Sequence, residues 1–267
     1  MDLHLKNTIA LVTGSSRGTG RTISLTLAKE GADIILAGRD EKRLESVKKE
    51  IESIGSKAYV AIGDATKPEE VSKIFEEIVQ KIGRLDILVN NAGGLDTYDD
   101  FDHLSIDDWH QAYELNCMSM VYFVKESLMY LRKSDNPRII NISSVQARQP
   151  GFFLPHYSAA KAAMLNISKY LSSFLAADKI LVNTICPSTI NGETWKQKVE
   201  KKAQELNITF EKAREILDTK EKEKTPIKKM ATEEDVANLV AFLSSEKSKF
   251  INGSSINLDG GSIKSIL

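Results

Sequence analysis

Short runs of aliphatic and β-branched residues alternate along the chain with longer segments in which apolar positions return every three or four residues. A brief apolar run bounded by turn residues predicts a fully buried strand, whereas the 3.6-residue period predicts a helix packed by one face. Strands are therefore expected at 8–14 (TIALVTG), 33–38 (DIILAG), 57–63, 85–90, 138–143 (RIINIS), 179–186 and 254–260. Helices are expected near 18–30, 40–54, 68–82, 108–132 and 156–177. Parallel strands need crossover connections, and right-handed crossovers put helices on both faces of one open sheet. No linker rich in Pro, Gly or Ser divides the chain, so residues 1–267 are expected to form a single α/β domain with a doubly wound seven-stranded parallel sheet.

One segment breaks this rhythm. Residues 191–230 interleave Lys and Glu with no strand pattern and read as two helices. Such charge patterning usually marks a solvated face laced with salt bridges. Its place just after the carboxyl end of a strand, where open α/β sheets bind ligands, makes it a candidate helical lid, with Trp195, Ile208 and Phe210 as its apolar contacts.

Composition narrows the class without naming a chemistry. The 267 residues carry a formal net charge of -1, with 42% hydrophobic and 27% charged residues, the balance of a chain that folds. Near-neutrality argues against nucleic acid or an anionic membrane as partner. No apolar run reaches the roughly 18 residues of a membrane span, and the N-terminus lacks the basic start and cleavage site of a secretory signal, so a cytoplasmic location is expected. Cys117 and Cys186, without CxxC spacing, read as buried fillers and predict no metal site.

Candidate chemistry begins at TGSSRGTG, residues 13–20, which leaves the first strand and opens a helix. Gly14 allows a tight turn, Gly18 and Gly20 let the backbone approach a pyrophosphate, and the helix N-terminus favours that anion. Ser16 and Arg17 lie in the same loop. At the end of the second strand, where a carboxylate would hold the ribose 2′-hydroxyl of NAD, stand Gly38 and Arg39. Two guanidinium groups, Arg39 and Arg17, suit the 2′-phosphate of NADP instead.

The second signal is YSAAK, in which Tyr157 and Lys161 share a helical face at i and i+4. Alone it is weak. Ser144 lies 13 residues upstream at the carboxyl end of RIINIS, the edge where ligands bind, and an ammonium close to a phenol, together with a cationic nicotinamide, would lower the phenol's pKa by favouring the phenolate.

TGSSRGTG, NNAG (residues 90–93), Asn116, Ser144 and YSAAK, in this order and spacing, resemble the short-chain dehydrogenase/reductase family over essentially the whole chain. The resemblance implies a Rossmann-type sheet ordered 3-2-1-4-5-6-7, NADP(H), and interconversion of a small-molecule carbonyl and its alcohol. It implies Tyr157 as acid/base, Lys161 on the nicotinamide ribose, Ser144 on the substrate oxygen and Asn116 in a water relay. Asp64, Asn90, Ala92, Gly93, Pro187 and Ile190 become cofactor contacts, and a homotetramer packed through the helices near 108–132 and 156–177 is implied as well, with Met120, Phe123 and Leu171 as candidate interface residues.

The pattern has departures. The Pro-Gly expected after the sixth strand is Pro187-Ser188, and Gly192 replaces an expected threonine, with Thr194 close enough to substitute. By position the substrate pocket draws on Leu95, Gln146, Phe153 and Trp195, with Gly94, Phe152 and Leu154, a mostly apolar lining. The overall look is nearest to 3-oxoacyl-[acyl-carrier-protein] reductase-like members. A non-catalytic NADP-binding sensor on the same fold is the alternative, although such proteins typically lose the tyrosine or lysine that this chain keeps.

Overall fold

Successive residues of each strand point to opposite faces of the sheet, and here both faces are dry. In the computed structural model, which describes residues 2–95 and 97–265, Ala10 and Val12 of β1 (Ile9–Thr13) pack into one apolar cluster while Leu11 packs into another. The same alternation splits Ile34 and Leu36 from Ile35 and Ala37 in β2 (Asp33–Gly38), and Ile87 and Val89 from Leu88 in β4 (Ile87–Asn90). Continuous apolar runs rather than alternating ones follow directly from burial on both faces.

With β3 (Ala58–Ile62), β5 (Arg138–Ile142), β6 (Leu181–Pro187) and β9 (Ser255–Leu258), the strands form one parallel sheet in the order β3-β2-β1-β4-β5-β6-β9. This is the expected order, β9 being the seventh strand in that sheet. One face is covered by α1 (Gly18–Lys29), α2 (Glu41–Ser53) and a helix at Glu233–Ser244. The other is covered by α3 (residues 68–82), α4 (residues 106–131) and α5 (Pro155–Phe174). Both α3 and α4 contain a π turn, at Phe75–Val79 and Glu114–Met118. Among the described residues no helix is long and apolar enough to cross a membrane.

The charge-rich segment folds as α6 (Glu193–Leu206) and α7 (Phe210–Glu223). It is framed by a two-stranded parallel pair, β7 (Ile190–Asn191) with β8 (Ala231–Thr232). The helix that follows, α8 (Glu233–Ser244), was not expected from the apolar pattern, although Thr232 and Asp235 form a reciprocal capping box at its start.

Met120 and Phe123 of α4 are buried against the sheet and Leu171 of α5 packs against the same cluster. They are core residues and cannot form the expected interface. The large apolar side chains those two helices leave exposed are Ile106, Tyr113, Met129, Tyr170 and Phe174.

Candidate active site

The glycine-rich turn after β1 adopts backbone that its sequence requires. Gly14 and Gly18 have φ of +64° and +56°, which side chains with a Cβ rarely adopt. A Cβ on Gly20 would stand 2.1 Å from the Gly14 carbonyl oxygen, so this glycine is demanded by the closure of α1 against its own turn rather than by an approaching phosphate. No side chain caps α1 and its first turn holds no acid. Its free N–H groups and positive dipole end are thus available to an anion. Thr13 pins the turn to the loop after β4, its Oγ1 accepting from Asn91 N (3.0 Å) and Ala92 N (2.8 Å).

Two cavities meet along Gly14, Arg17, Asn91 and Gly93, forming a cleft across the carboxyl ends of the strands. The first, about 380 Å³, lies at the ends of β2 and β3 and is lined by Ser16, Arg39, Arg43, Asp64 and Ala92, among others. Arg39 pairs with Asp64 at 3.6 Å, Arg17 with Glu193 at 3.7 Å, and Arg43 with Asp40 at 3.2 Å and Glu193 at 3.3 Å. Arg43 was not anticipated, although it follows Arg39 by four residues, on the first turn of a helix whose cap is Asp40. Burial opposes ionisation of Asp64, but hydrogen bonds from Thr66 N and Oγ1 (2.9 and 2.8 Å) and the Arg39 charge outweigh it and hold the carboxyl below its ordinary range.

The second cavity, about 300 Å³, contains the polar groups that could act on a substrate: Ser144, Tyr157 and Lys161 line it, with Gly18, Gly20, Pro187 and Ile190 opposite. Ser144 caps a short 3₁₀ turn, accepting from Gln146 N at 3.2 Å. Leu154 takes φ of +72°, donates its N–H to Asp99 O at 3.0 Å and hands over to Pro155 at the first position of α5. Tyr157 and Lys161 follow on that helix.

Lys161 is only 3% exposed, donates from Nζ to Ile142 O at 2.8 Å and stands 5.8 Å from the centre of the Tyr157 ring. Burial pulls its ammonium down to about 8, against a weaker opposing effect of the thiols of Cys186 and Cys117. Burial also pushes the Tyr157 phenol up, with the Ser144 hydroxyl partly offsetting it. In the chain alone desolvation is the larger effect on the phenol, while the expected lowering belongs to the ammonium acting together with a bound cationic nicotinamide.

Asn116 lies in the π turn of α4, fully buried. Its Nδ2 donates to Gly94 O and Ala112 O, each at 2.9 Å, and its Oδ1 accepts from Gly94 N at 3.0 Å. Its side-chain amide is therefore committed to clamping the loop after β4. Gly93 fits between this amide and the lysine, since a Cβ there would stand 3.0 Å from both Asn116 Oδ1 and Lys161 Nζ.

Five expected residues lie elsewhere. The Asn90 side chain is buried in the sheet, donating from Nδ2 to Asn141 Oδ1 at 2.8 Å, and it is the neighbouring Asn91 that lines the cleft. Leu95 borders a separate small void with Thr97, Asp108 and His156. Phe153 is exposed and stacks on Tyr98, ring centres 5.8 Å apart, while Phe152 is 83% exposed. Trp195 is 5% exposed inside the hairpin, clustered with Val199 and Ala213 and partly buried Ile208 and Phe210, and its Nε1 donates to Asp218 at 2.8 Å. In a charge-rich hairpin the few apolar residues make their own core and have nothing left for the cleft. Gln146, in contrast, lines a cavity adjoining the cleft.

The departures after β6 have structural accounts. Ser188 and Thr194 both line the second cavity. A Cβ on Gly192 would stand 2.1 Å from Glu233 Oε1, and this carboxylate accepts from Glu193 N (3.1 Å) and Thr22 Oγ1 (3.0 Å), joining the start of α6 to α1. A threonine here would require the Glu233 side chain to move and give up these hydrogen bonds.

A doubly wound parallel sheet whose strand ends carry a glycine turn, a helix N-terminus and a Ser-Tyr-Lys cluster defines a dinucleotide-binding oxidoreductase. The family model for short chain dehydrogenases matches residues 8–203, and the chain belongs to that family. It is 33% identical to the NADPH-dependent reductase BacG of Bacillus subtilis over 259 residues, spanning 96% of this chain and 98% of that one. It is 34% identical to the 3-oxoacyl-[acyl-carrier-protein] reductase FabG of Aquifex aeolicus, spanning 98% and 99%. The structure of L-sorbose reductase from Gluconobacter frateurii, complexed with NADPH and L-sorbose, superposes with a TM-score of 0.94 over the whole of both chains at 31% identity.

Proposed function

We propose that this protein is an NADPH-dependent carbonyl reductase in which Ser144, Tyr157 and Lys161 act on the substrate. The observation that carries this reading is the convergence of these three residues on one cavity continuous with the glycine-turn cleft. The residues present fit the cofactor: backbone that tolerates only glycine, an uncapped helix N-terminus, and three arginines where a carboxylate would select NAD. The kinship with NADPH-dependent reductases supports the same choice.

Bound NADPH would supply the hydride, two electrons, to the carbonyl carbon. The chain supplies the rest. Ser144 would donate a hydrogen bond to the carbonyl oxygen, and the Tyr157 phenol would give that oxygen its proton. A phenol whose pKa is raised by burial is protonated at neutral pH, the state a proton donor requires. Lys161, charged below about pH 8, would stabilise the phenolate left behind. Asn116 acts through the backbone it clamps at Gly94 and so positions the loop beside Lys161.

The same reading makes residues 1–267 one domain, places the protein in the cytoplasm and makes it a homotetramer. Exposed Tyr113, Met129, Tyr170 and Phe174 on α4 and α5 support the assembly, since closed symmetry buries one such patch against its own copy. Retention of Tyr157 and Lys161 disfavours the sensor alternative. Loss of NADPH absorbance at 340 nm with a panel of carbonyl compounds tests the proposal, and cofactor binding without turnover of any carbonyl would return the protein to the sensor reading.

A further inference from the structure

A third cavity, about 430 Å³, opens beyond Ser144. It shares Ser188 with the cavity that holds Tyr157 and runs past Val145 and Gln146, the two residues after the serine. Its far wall is the carboxyl end of α7, where Glu221 and Lys224 face Thr189 and Ser262. A carbonyl compound held by Ser144 would reach this space past Ser188, the residue common to the two cavities.

The walls mix apolar Val145, Pro150, Met230 and Ile263 with charged and amide groups, unlike the uniformly apolar lining an acyl chain prefers. Glu221 is largely enclosed, its side chain 15% exposed. Its Oε2 accepts from Lys224 Nζ at 2.7 Å and its Oε1 from the Thr189 hydroxyl. Burial works against the charged form, yet the hydrogen bonds from Lys224 and Thr189, with the charges of Lys224 and Lys198, leave the carboxyl below its ordinary range and therefore ionised. A carboxylate has about four acceptor sites, and two are taken, so two remain for donors from the cavity. On the near wall the Gln146 side chain is oriented by its own acceptor, since Oε1 takes Gly151 N (2.8 Å) and Ser158 Oγ (3.3 Å). That leaves the two Nε2 donors to offer. An enclosed, charged acceptor opposite a fixed amide donor is costly beside methylene groups and favourable beside hydroxyls.

We infer that the substrate is a small polyhydroxylated ketone or its polyol, with the carbonyl at Ser144 and Tyr157 and the distal hydroxyls read by Glu221 and Gln146. The inference rests on the reductase reading and narrows its substrate class. It displaces the mostly apolar pocket expected from sequence, because Phe153 and Trp195 point elsewhere.

The test compares two six-carbon 2-ketones, L-sorbose and 2-hexanone, with acetoacetyl-CoA as a thioester control, all with NADPH. Sites built to hydrogen-bond hydroxyls reject analogues lacking them, so kcat/KM for L-sorbose is expected to exceed that for 2-hexanone by at least about 100-fold. Glu221→Gln should reduce that ratio by about tenfold or more, through KM for L-sorbose, as expected for loss of a hydrogen bond to a charged group. Gln146→Leu should reduce it from the opposite wall. Turnover of 2-hexanone or acetoacetyl-CoA in preference to L-sorbose overturns the inference and leaves the reductase reading standing, as does a Glu221→Gln variant that loses both ketones in equal proportion. Failure of all three substrates, with NADPH still bound, overturns this inference, whereas the reductase reading falls only if the wider carbonyl panel fails as well.

Discussion

Replacing Arg39 with Ala asks the structure for a selective loss. Arg39 stands at the end of β2 with its side chain 78% exposed, and its partner is Asp64 at 3.6 Å. An exposed pair of that length contributes about 0–1 kcal/mol, so the fold should hardly notice the change. Toward a ribose 2′-phosphate the same guanidinium would make a charge-assisted contact worth about 1.5–3 kcal/mol. At about 1.4 kcal/mol per decade, this predicts a rise of roughly 10- to 150-fold in the Kd for NADPH. NADH lacks the phosphate, and its Kd should change by less than about twofold, the scale of an exposed contact. The assay is a titration of cofactor fluorescence on wild type and Arg39→Ala at two ionic strengths. Because the site is exposed, NADPH preference in the wild type should also shrink as salt shortens the Debye length from about 8 Å at 0.15 M. Arg43→Ala should repeat the pattern, since Arg43 lines the same cavity. Equal weakening of NADPH and NADH would refute the assignment of these arginines to the phosphate.

Three further outcomes follow from the site and the lid. The Lys161 ammonium is lowered from 10.5 to about 8, so kcat/KM for carbonyl reduction should fall as pH rises through about 8 rather than near 10, and Lys161→Arg should lift that limb out of the measurable range; a pH–rate profile with no change between 7 and 9 would contradict it. Trp195→Ala removes a buried indole from the hairpin core, a loss of about 3–5 kcal/mol that should fall on α6 and α7 and raise KM. Amide exchange should accelerate across 195–225 and stay slow in the seven strands; unaltered exchange in both regions would show that the cluster does not hold the hairpin. Sedimentation should give a mass of four chains, and a mass near 30 kDa at micromolar concentration would remove the tetramer.

The seven strands of the main sheet were legible as short, mostly apolar runs between turn residues, several of them buried on both faces, whereas their order came from the family resemblance. The Ser144–Tyr157–Lys161 cluster was legible because local geometry fixes it: one helical turn separates two members and a strand end supplies the third. Choices that depend on register were not. Asn90 and Asn91 are adjacent and alike, and only the pairing of β4 with β5, which sets Asn90 beside Asn141, decides which one meets the cleft. Trp195 resembles a ligand contact in a stretch of Lys and Glu, but its spacing to Val199, one helical turn on, was the available sign of a hairpin with its own core. The two-residue strands β7 and β8 pair across 40 intervening residues and leave no periodic trace. The helix α8 was missed although both its capping box, TEED, and its apolar face, Val236, Ala237, Val240, Ala241 and Leu243, stand in the sequence.

In the proposed reaction the Tyr157 phenol delivers the proton to the substrate oxygen without holding the cofactor. The decisive measurement is single-turnover oxidation of bound NADPH by a carbonyl substrate, made beside the NADPH Kd in wild type and Tyr157→Phe. The variant should be slower by about 10²–10⁴, the usual share of general acid catalysis, with the Kd nearly unchanged. Reduction by Tyr157→Phe at the wild-type rate would contradict it.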